Sequence, residues 1–339
     1  MPENPDRSGA QETVEELLLG ATPHLNRVEV AERAGVPLEV AEQLWRLLGF
    51  ARTGDADVAF TDADVEALQQ TKDLMELGIL GPDSQAALVR TWGRSFARLA
   101  EWQTSLLADI ATESDDPDRR LTELSTSVLP RVESLQSYIW RRHLASATGR
   151  ALAVESSGTP ASPLTVCFVD IVGYTSRSKN LDESELVGWL EHFEDEATGL
   201  VVDHGGRIIK TIGDEILFVA DRAADAAEVA LLMSERGADD GDPFPEVRAG
   251  IAHGSVVSRL GDVFGPTVNI AARLTSVARP GTVLVDRGCY EELSGRREDD
   301  EERPPDAGAA YAFRRTRRTP VKGYARLQPW VLRRGGGSS

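Results

Sequence analysis

Apolar residues recur at three- and four-residue spacing along the first part of the chain, as Val40, Leu44, Leu47 and Leu48 do, and later Leu88, Trp92, Phe96 and Leu99. That spacing gathers the apolar side chains on one helical face. It predicts an all-helical domain over 13–150, rich in Ala, Leu, Glu and Arg. Asp115-Asp116-Pro117-Asp118 interrupts the array, and the helical pattern resumes from Leu121 through His143. Residues 1–12 read as a disordered tail. Residues 151–163, with their Ser, Gly and Pro, read as a linker.

After the linker the period changes, and strands alternate with helices over 164–334. The apolar run Leu164–Asp170 predicts a strand, followed by a helix over about 183–203. Asp182 is placed to cap that helix, with Glu185 completing a capping box, and Gly205-Gly206 is placed to end it. Strands at about 206–212 and 215–220 hinge at Gly213-Asp214, and a helix covers about 222–236. Strands at 247–253 and 255–260 read as a second hairpin turning near Gly254. A helix near 266–277 and a strand at 282–286 follow. Residues 294–310, with Glu298-Asp-Asp-Glu-Glu302, read as a solvated loop, and a last pair of strands takes Tyr311–Arg315 and Trp330–Leu332. The fold class is α+β: a βαββαβ ferredoxin-like domain, with an antiparallel-rich sheet and helices on one face, behind an all-α domain. GGGSS, 335–339, reads as a flexible tail.

Composition narrows the partners. The 339 residues suit two domains. With 37 Lys and Arg against 55 Asp and Glu, the formal charge is −18. That argues against nucleic acid, whose binding rests on phosphate neutralisation, and against anionic membranes. No run approaches the ~20 apolar residues that span a bilayer. The polar start MPENPDRSGAQET lacks the apolar core of a signal peptide, so a cytoplasmic location is expected. Two cysteines, Cys167 and Cys289, make no disulfide framework.

The chemistry points to phosphate. Asp170 closes an apolar strand, and Asp214 sits at a hairpin tip beside Gly213. Two carboxylates brought together there would suit hard divalent cations, which take carboxylate oxygens and keep room for phosphate oxygens. Either aspartate alone would ordinarily be a turn former. Gly173, Tyr174 and Thr175 follow the first strand, where backbone N–H groups can meet phosphate. Asn269 and Arg273 share one helical face at i, i+4 spacing.

Four separated segments carry a resemblance. They are Phe168-Val-Asp-Ile-Val-Gly-Tyr-Thr175, Gly206-Arg-Ile-Ile-Lys-Thr-Ile-Gly-Asp-Glu215, Gly261-Asp-Val-Phe-Gly-Pro-Thr-Val-Asn-Ile-Ala-Ala-Arg273 and Val321-Lys-Gly323. In this order they resemble the catalytic domain of class III nucleotidyl cyclases over 162–333. The resemblance implies ATP as substrate and two Mg²⁺ or Mn²⁺ ions per site. These would be held by Asp170, Asp214 and the Ile171 carbonyl. Lys210 and Asp262 match the purine readers: a Lys donor suits adenine N1 and an Asp acceptor the 6-amino group. Guanylyl members usually carry Glu and Cys there. Asn269 and Arg273 match the transition-state pair, and Lys322 a lysine for the outer phosphates. The site lies between two catalytic domains in this family. A chain that carries every element once therefore implies a homodimer. Alternatives are a guanylyl cyclase and a catalytically silent nucleotide-binding sensor.

The helical domain holds a helix-turn-helix pattern, Glu29–Pro37 followed by Leu38–Phe50, with Thr61-Asp-Ala-Asp-Val65 as a further helix start. DNA binding is disfavoured, since Pro37–Leu48 carries Glu39 and Glu42 against Arg46 alone. A packing and regulatory role fits better. The region also resembles, more loosely, the regulatory domain of actinobacterial pH-responsive adenylyl cyclases. That implies a pH-dependent inhibitory domain, with an apolar ligand pocket as a further implication. His143, in Trp140-Arg-Arg-His143, is the candidate titrating group; beside two arginines its ordinary reading is a surface residue.

Overall fold

A computed structural model describes residues 9–78, 82–157, 163–296, 309–321 and 324–335. The chain divides into two compact units, 1–151 and 152–339.

The first unit is helical. α1 spans Gly9–Leu19, α2 Arg27–Ala34, α3 Leu38–Leu48 and α4 Asp62–Glu76. Asn26 caps α2 in a capping box with Glu29, and Gly35, at φ 65°, ends it in the left-handed conformation that glycine adopts without a Cβ clash. Thr61 starts α4, its N–H donating to Asp64 Oδ2 at 2.8 Å. Leu25, Val30, Ala31, Ala41, Leu44, Val65 and Leu68 form the core between these helices. Two long helices follow, α5 Pro82–Thr112 and α6 Pro117–Ser157. The segment around Asp115 breaks the array where expected.

Two expectations for this region change. α1 begins at Gly9, so the last four residues of the expected tail are helical. α6 runs to Ser157, so the first half of the expected linker is helix too. On α5 the buried positions among the described residues are Ala87, Val89, Gly93 and Ala111, whereas Trp92 and Phe96 are exposed. A Cβ on Gly93 would lie 2.3 Å from the Leu48 carbonyl oxygen. The small face of α5 therefore seats on the end of α3, and its aromatic stripe is left outward.

The second unit opens with β1 Leu164–Ile171, the short α7 Tyr174–Arg177 and α8 Glu183–Asp203; β2 Arg207–Ile212, β3 Glu215–Ala220 and α9 Ala223–Arg236 follow. Next come β4 Val247–Gly254, β5 Val257–Arg259, β6 Asp262–Phe264, α10 Pro266–Val277, β7 Val283–Val285 and α11 Arg287–Ser294. The chain closes with β8 Tyr311–Arg315, β9 Thr319–Val321, β10 Tyr324–Leu327 and β11 Trp330–Arg334. The main sheet runs β2-β3-β1-β4-β7-β11-β8. Its first four strands are antiparallel neighbours in the ferredoxin-like order, and β7 joins β4 in parallel. Asp182 and Glu185 form the expected capping box of α8.

The helices do not all lie on one face. Cys167, Val169 and Ile171 of β1 pack with α8, α9 and α11, while Val166 and Phe168 pack with Ala271 of α10. The reason is legible in β1, whose apolar run is continuous rather than alternating; such a strand is buried on both sides. Gly250 of β4 is where α10 seats. A Cβ there would lie 2.4 Å from Thr275 N and 2.5 Å from Ala271 O. Gly250→Ala is expected to cost about 1–3 kcal/mol of stability through overpacking; an unchanged denaturation midpoint would remove this account.

The second hairpin also differs. β4 does not pair with β5; β5 pairs with β6 through Leu260 (φ 56°) and Gly261 (φ 77°). Two successive positive φ values make the tight turn that matches strand twist. The loop expected at 294–310 falls largely outside the described residues, as does Lys322. Both cysteines are buried, and burial raises both thiols well above their ordinary range. Among the described residues, no helix is long and apolar enough to cross a membrane.

Candidate active site

Three backbone features bring the carboxylates together. β1 and β3 pair so that Asp170 stands opposite Glu215. The β2–β3 hairpin turns on two residues, with Gly213 at φ 65° in the first place, where such turns demand a positive φ. The Ile171 N–H then donates to the Asp214 carbonyl at 3.2 Å, tying the end of β1 to that turn. The Asp170 and Asp214 carboxyls are thereby close enough for Asp170 to raise the Asp214 carboxyl.

This cluster is short of positive charge. Burial, opposed by its own backbone N–H, and then the charge of Asp170 raise the Asp214 carboxyl. Burial also pushes Glu215 up to about 7, with Asp170 and Asp214 adding to it and Arg248 opposing. Arg248 is the neighbouring cation that opposes these rises. It faces Asp170 across the β1–β4 pair and donates to Asp170 Oδ2 from Nε at 2.6 Å and Nη2 at 2.5 Å. Sequence reasoning missed it, because it sits inside an ordinary strand 78 residues from its partner.

The raised Glu215 has a consequence for stability. The folded protein holds this proton more tightly than an unfolded chain, where glutamate titrates near 4.5. The associated stabilisation is therefore complete below pH 4.5 and lost as pH rises through about 7. In EDTA, Glu215→Gln is expected to raise the melting temperature more at pH 8.5 than at pH 6. Allowing for solvent screening, the difference is on the order of 1 kcal/mol. Equal shifts at the two pH values would contradict it.

The donor set fits a divalent cation shared with a ligand. Among the described residues, no group of three or more His, Cys, Asp or Glu side chains could hold a metal alone. Two carboxylates leave the other positions to water and phosphate oxygens, which is how Mg²⁺ is usually held. The raised carboxyls of Asp214 and Glu215 mark the charge that such an ion would neutralise.

Beside this cluster, Gly173 (φ 73°) turns the chain into α7. Its carbonyl accepts from the Ser176 and Arg177 N–H groups, both at 3.0 Å. Tyr174 stacks on Trp189 at 6.2 Å, and Arg177 lies 4.4 Å from the same ring.

A second cluster lies around α10. Lys210 Nζ and Asp262 Oδ2 meet at 2.5 Å, joining β2 to β6. Asp262 Oδ1 also accepts from the Val263 N–H at 2.8 Å. Pro266 opens α10 after Gly265, and Thr267, Ala271, Leu274 and Thr275 form its buried face. Asn269 and Arg273 lie on the exposed face. Among the described residues, no hydrogen bond or ion pair engages either side chain, and none links this cluster to Asp170 or Asp214. His253 belongs to neither. Its Nδ1 lies 2.8 Å from Thr165 Oγ1, at the other end of β1 from Asp170. His143 is exposed on α6, with no hydrogen bond or ion pair among the described residues.

Comparison with known proteins identifies a family for the second unit. The family model described as the adenylate and guanylate cyclase catalytic domain matches residues 157–334. An adenylate cyclase of Streptomyces coelicolor is 39% identical, over 96% of this chain and 90% of its own length. An adenylate cyclase of Streptomyces griseus is 36% identical, over 95% of this chain and 88% of its own. A pH-sensitive adenylate cyclase of Mycobacterium tuberculosis is 32% identical, over 94% of this chain and 82% of its own.

Proposed function

Because the chain belongs to the family of the adenylate and guanylate cyclase catalytic domain, we propose that it is an adenylate cyclase. It converts ATP to 3′,5′-cyclic AMP and pyrophosphate at sites shared by two copies of the chain. The names of the relatives support the substrate. The observation that carries the reading is the presence, in one chain, of a cation-poor carboxylate cluster and a separate Lys210–Asp262 pair.

The reaction is intramolecular, so no protein nucleophile is needed. The ribose 3′-oxygen attacks the α-phosphorus in line, and pyrophosphate leaves. Asp170, Asp214 and the Ile171 carbonyl would hold two Mg²⁺ or Mn²⁺ ions. When bound, such ions lower the pKa of the attacking hydroxyl and neutralise the triphosphate. Arg273 donates to the α-phosphate oxygens, where negative charge grows in the transition state. Asn269 fixes the ribose. Lys210 donates to adenine N1, and Asp262 accepts from the 6-amino group. The N–H groups of Gly173, Tyr174 and Thr175 meet phosphate, with Lys322 on the outer phosphates. Arg248 adds a cation beside the same triphosphate.

The homodimer is supported by what a single chain leaves apart. Asn269 and Arg273 are exposed, and among the described residues no hydrogen bond or ion pair joins their side chains to Asp170 or Asp214. The first unit exposes Trp92, Phe96, Trp102, Tyr138, Ile139 and Trp140 along α5 and α6. Outward aromatic stripes of this kind suit burial against a second copy. In this reading the first unit regulates the second, in response to pH. The support is the pH-sensitive relative, which matches nearly the whole chain.

The test is to incubate the full chain with Mn²⁺ and either ATP or GTP, at pH 6 and pH 8, and to identify the products by mass. Cyclic AMP from ATP, none from GTP, and a rate that differs between the pH values are expected. Absence of a cyclic product in all four conditions would overturn the reading.

A further inference from the structure

The first unit contains a cavity of about 410 Å³ that plays no part in the reaction above. It opens beside the C-terminal half of α3. Gly49, at φ 83°, ends that helix, and the Phe50 N–H bonds back to the Trp45 carbonyl at 3.0 Å. This turn leaves the Phe50 ring at the cavity mouth, 58% exposed. Phe60 is set by its bridge to Leu25. Its ring centroid lies 4.9 Å from that of Trp45, tilted by 30°. Three aromatic rings therefore line one small space.

The charges around it are unevenly paired. Arg27 is held by Glu42 at 2.6 Å and by Asp55. Asp64 is committed to the Thr61 N–H. Arg46 and Arg52 line the same cavity, and neither has an acidic partner among the described residues. Two unpaired guanidinium groups beside three rings are notable in a chain of formal charge −18. Guanidinium forks bind carboxylate or phosphate oxygens in pairs.

We propose that this cavity binds a compact aromatic oxyanion, a flat ring system bearing one carboxylate or phosphate monoester. The ring lies against Trp45, Phe50 and Phe60, and the oxyanion is taken by Arg46 and Arg52. The volume sits within the range of ligand sites, about 300–1,000 Å³, and suits a bicyclic acid. A long alkyl chain fits poorly, because Arg27, Glu42, Arg46, Arg52 and Asp64 would meet its methylenes with charge.

The experiment is calorimetric titration of the full chain in EDTA, which removes metal-dependent nucleotide binding. The probes are 2-naphthoate, 2-naphthyl phosphate, neutral 2-naphthalenemethanol and decanoate. At least one naphthyl anion is expected to bind one per chain, and the tighter one identifies the oxyanion. The neutral alcohol and decanoate should bind at least tenfold more weakly. The double variant R46A/R52A should weaken the anion at least tenfold. Phe50→Ala should weaken it without changing any charge. All three positions are exposed, so the fold should survive, as an unchanged melting temperature would verify. Three results would overturn the proposal: no binding of either naphthyl anion, unchanged binding in the double variant, or decanoate binding as tightly as the aromatic anions.

Discussion

Asp214→Ala is expected to reduce cyclic AMP formation by at least 10²–10³-fold, roughly the cost of removing charge stabilisation from a transition state. The loss should not reflect unfolding. Burial and a neighbouring carboxylate already raise the Asp214 carboxyl, so deleting it relieves repulsion in the metal-free protein. Arg273→Ala is expected to lose activity on a similar scale, and its exposed position again spares the fold. The informative result comes from mixing the two. After subunit exchange, half of the dimers are heterodimers, and each has one of its two sites intact. Activity should therefore return to about a quarter of that of the unmutated protein. The recovered rate should scale with the heterodimer fraction measured by mass spectrometry. A mixture that stays inactive despite measured exchange would mean that both clusters serve one chain.

The second large effect concerns the base. The double variant K210E/D262C is expected to shift the ratio of kcat/KM for ATP over GTP by about 10²-fold or more toward GTP. Purine edges differ in donor and acceptor pattern, and a mismatched hydrogen-bonding site discriminates strongly. The Lys210–Asp262 pair is partly exposed, with side chains 41% and 30% accessible. Pairs of this kind contribute only about 0–1 kcal/mol to stability. The melting temperature should therefore barely move while the specificity changes. K210E alone would set two carboxylates face to face and should impair both substrates. An unchanged nucleotide ratio in the double variant would remove Lys210 and Asp262 as base readers.

The candidate site residues are legible along the chain where a local pattern marks them, at an element end or on one helix face. Asp170 ends an apolar run, Asp214 follows a glycine at a hairpin tip, and Asn269 and Arg273 keep helical spacing. Each signal is local. Arg248 was illegible for the opposite reason. It faces Asp170 only through an antiparallel register that joins residues 78 apart, and nothing in Val-Arg-Ala-Gly-Ile-Ala-His-Gly announces a partner. The environment of Glu215 was hidden too, since it comes from burial and three neighbouring charges. The hairpin expected over 247–260 and found at 257–264 shows a competition between turn signals. Gly254 looked sufficient for a turn, yet Leu260-Gly261 supplied the two positive φ values. On α5 the helical period is legible, but which side is buried is not. Tertiary packing chose the small residues Ala87 and Gly93, because α3 approaches too closely for a ring.

The seat at Gly250 limits how this molecule can be controlled. With no side chain there, α10 lies close against β4, and Thr275 Oγ1 reaches through to the Phe168 carbonyl of β1 at 3.2 Å. A helix held that closely cannot slide or roll without clashing with backbone atoms. Asn269 and Arg273 are thus mounted on the same stiff frame as the strand that carries Asp170. In the proposed homodimer, an input therefore has little slack to work with inside one catalytic domain. It would have to act on how two such domains meet, with each domain turning as a rigid body.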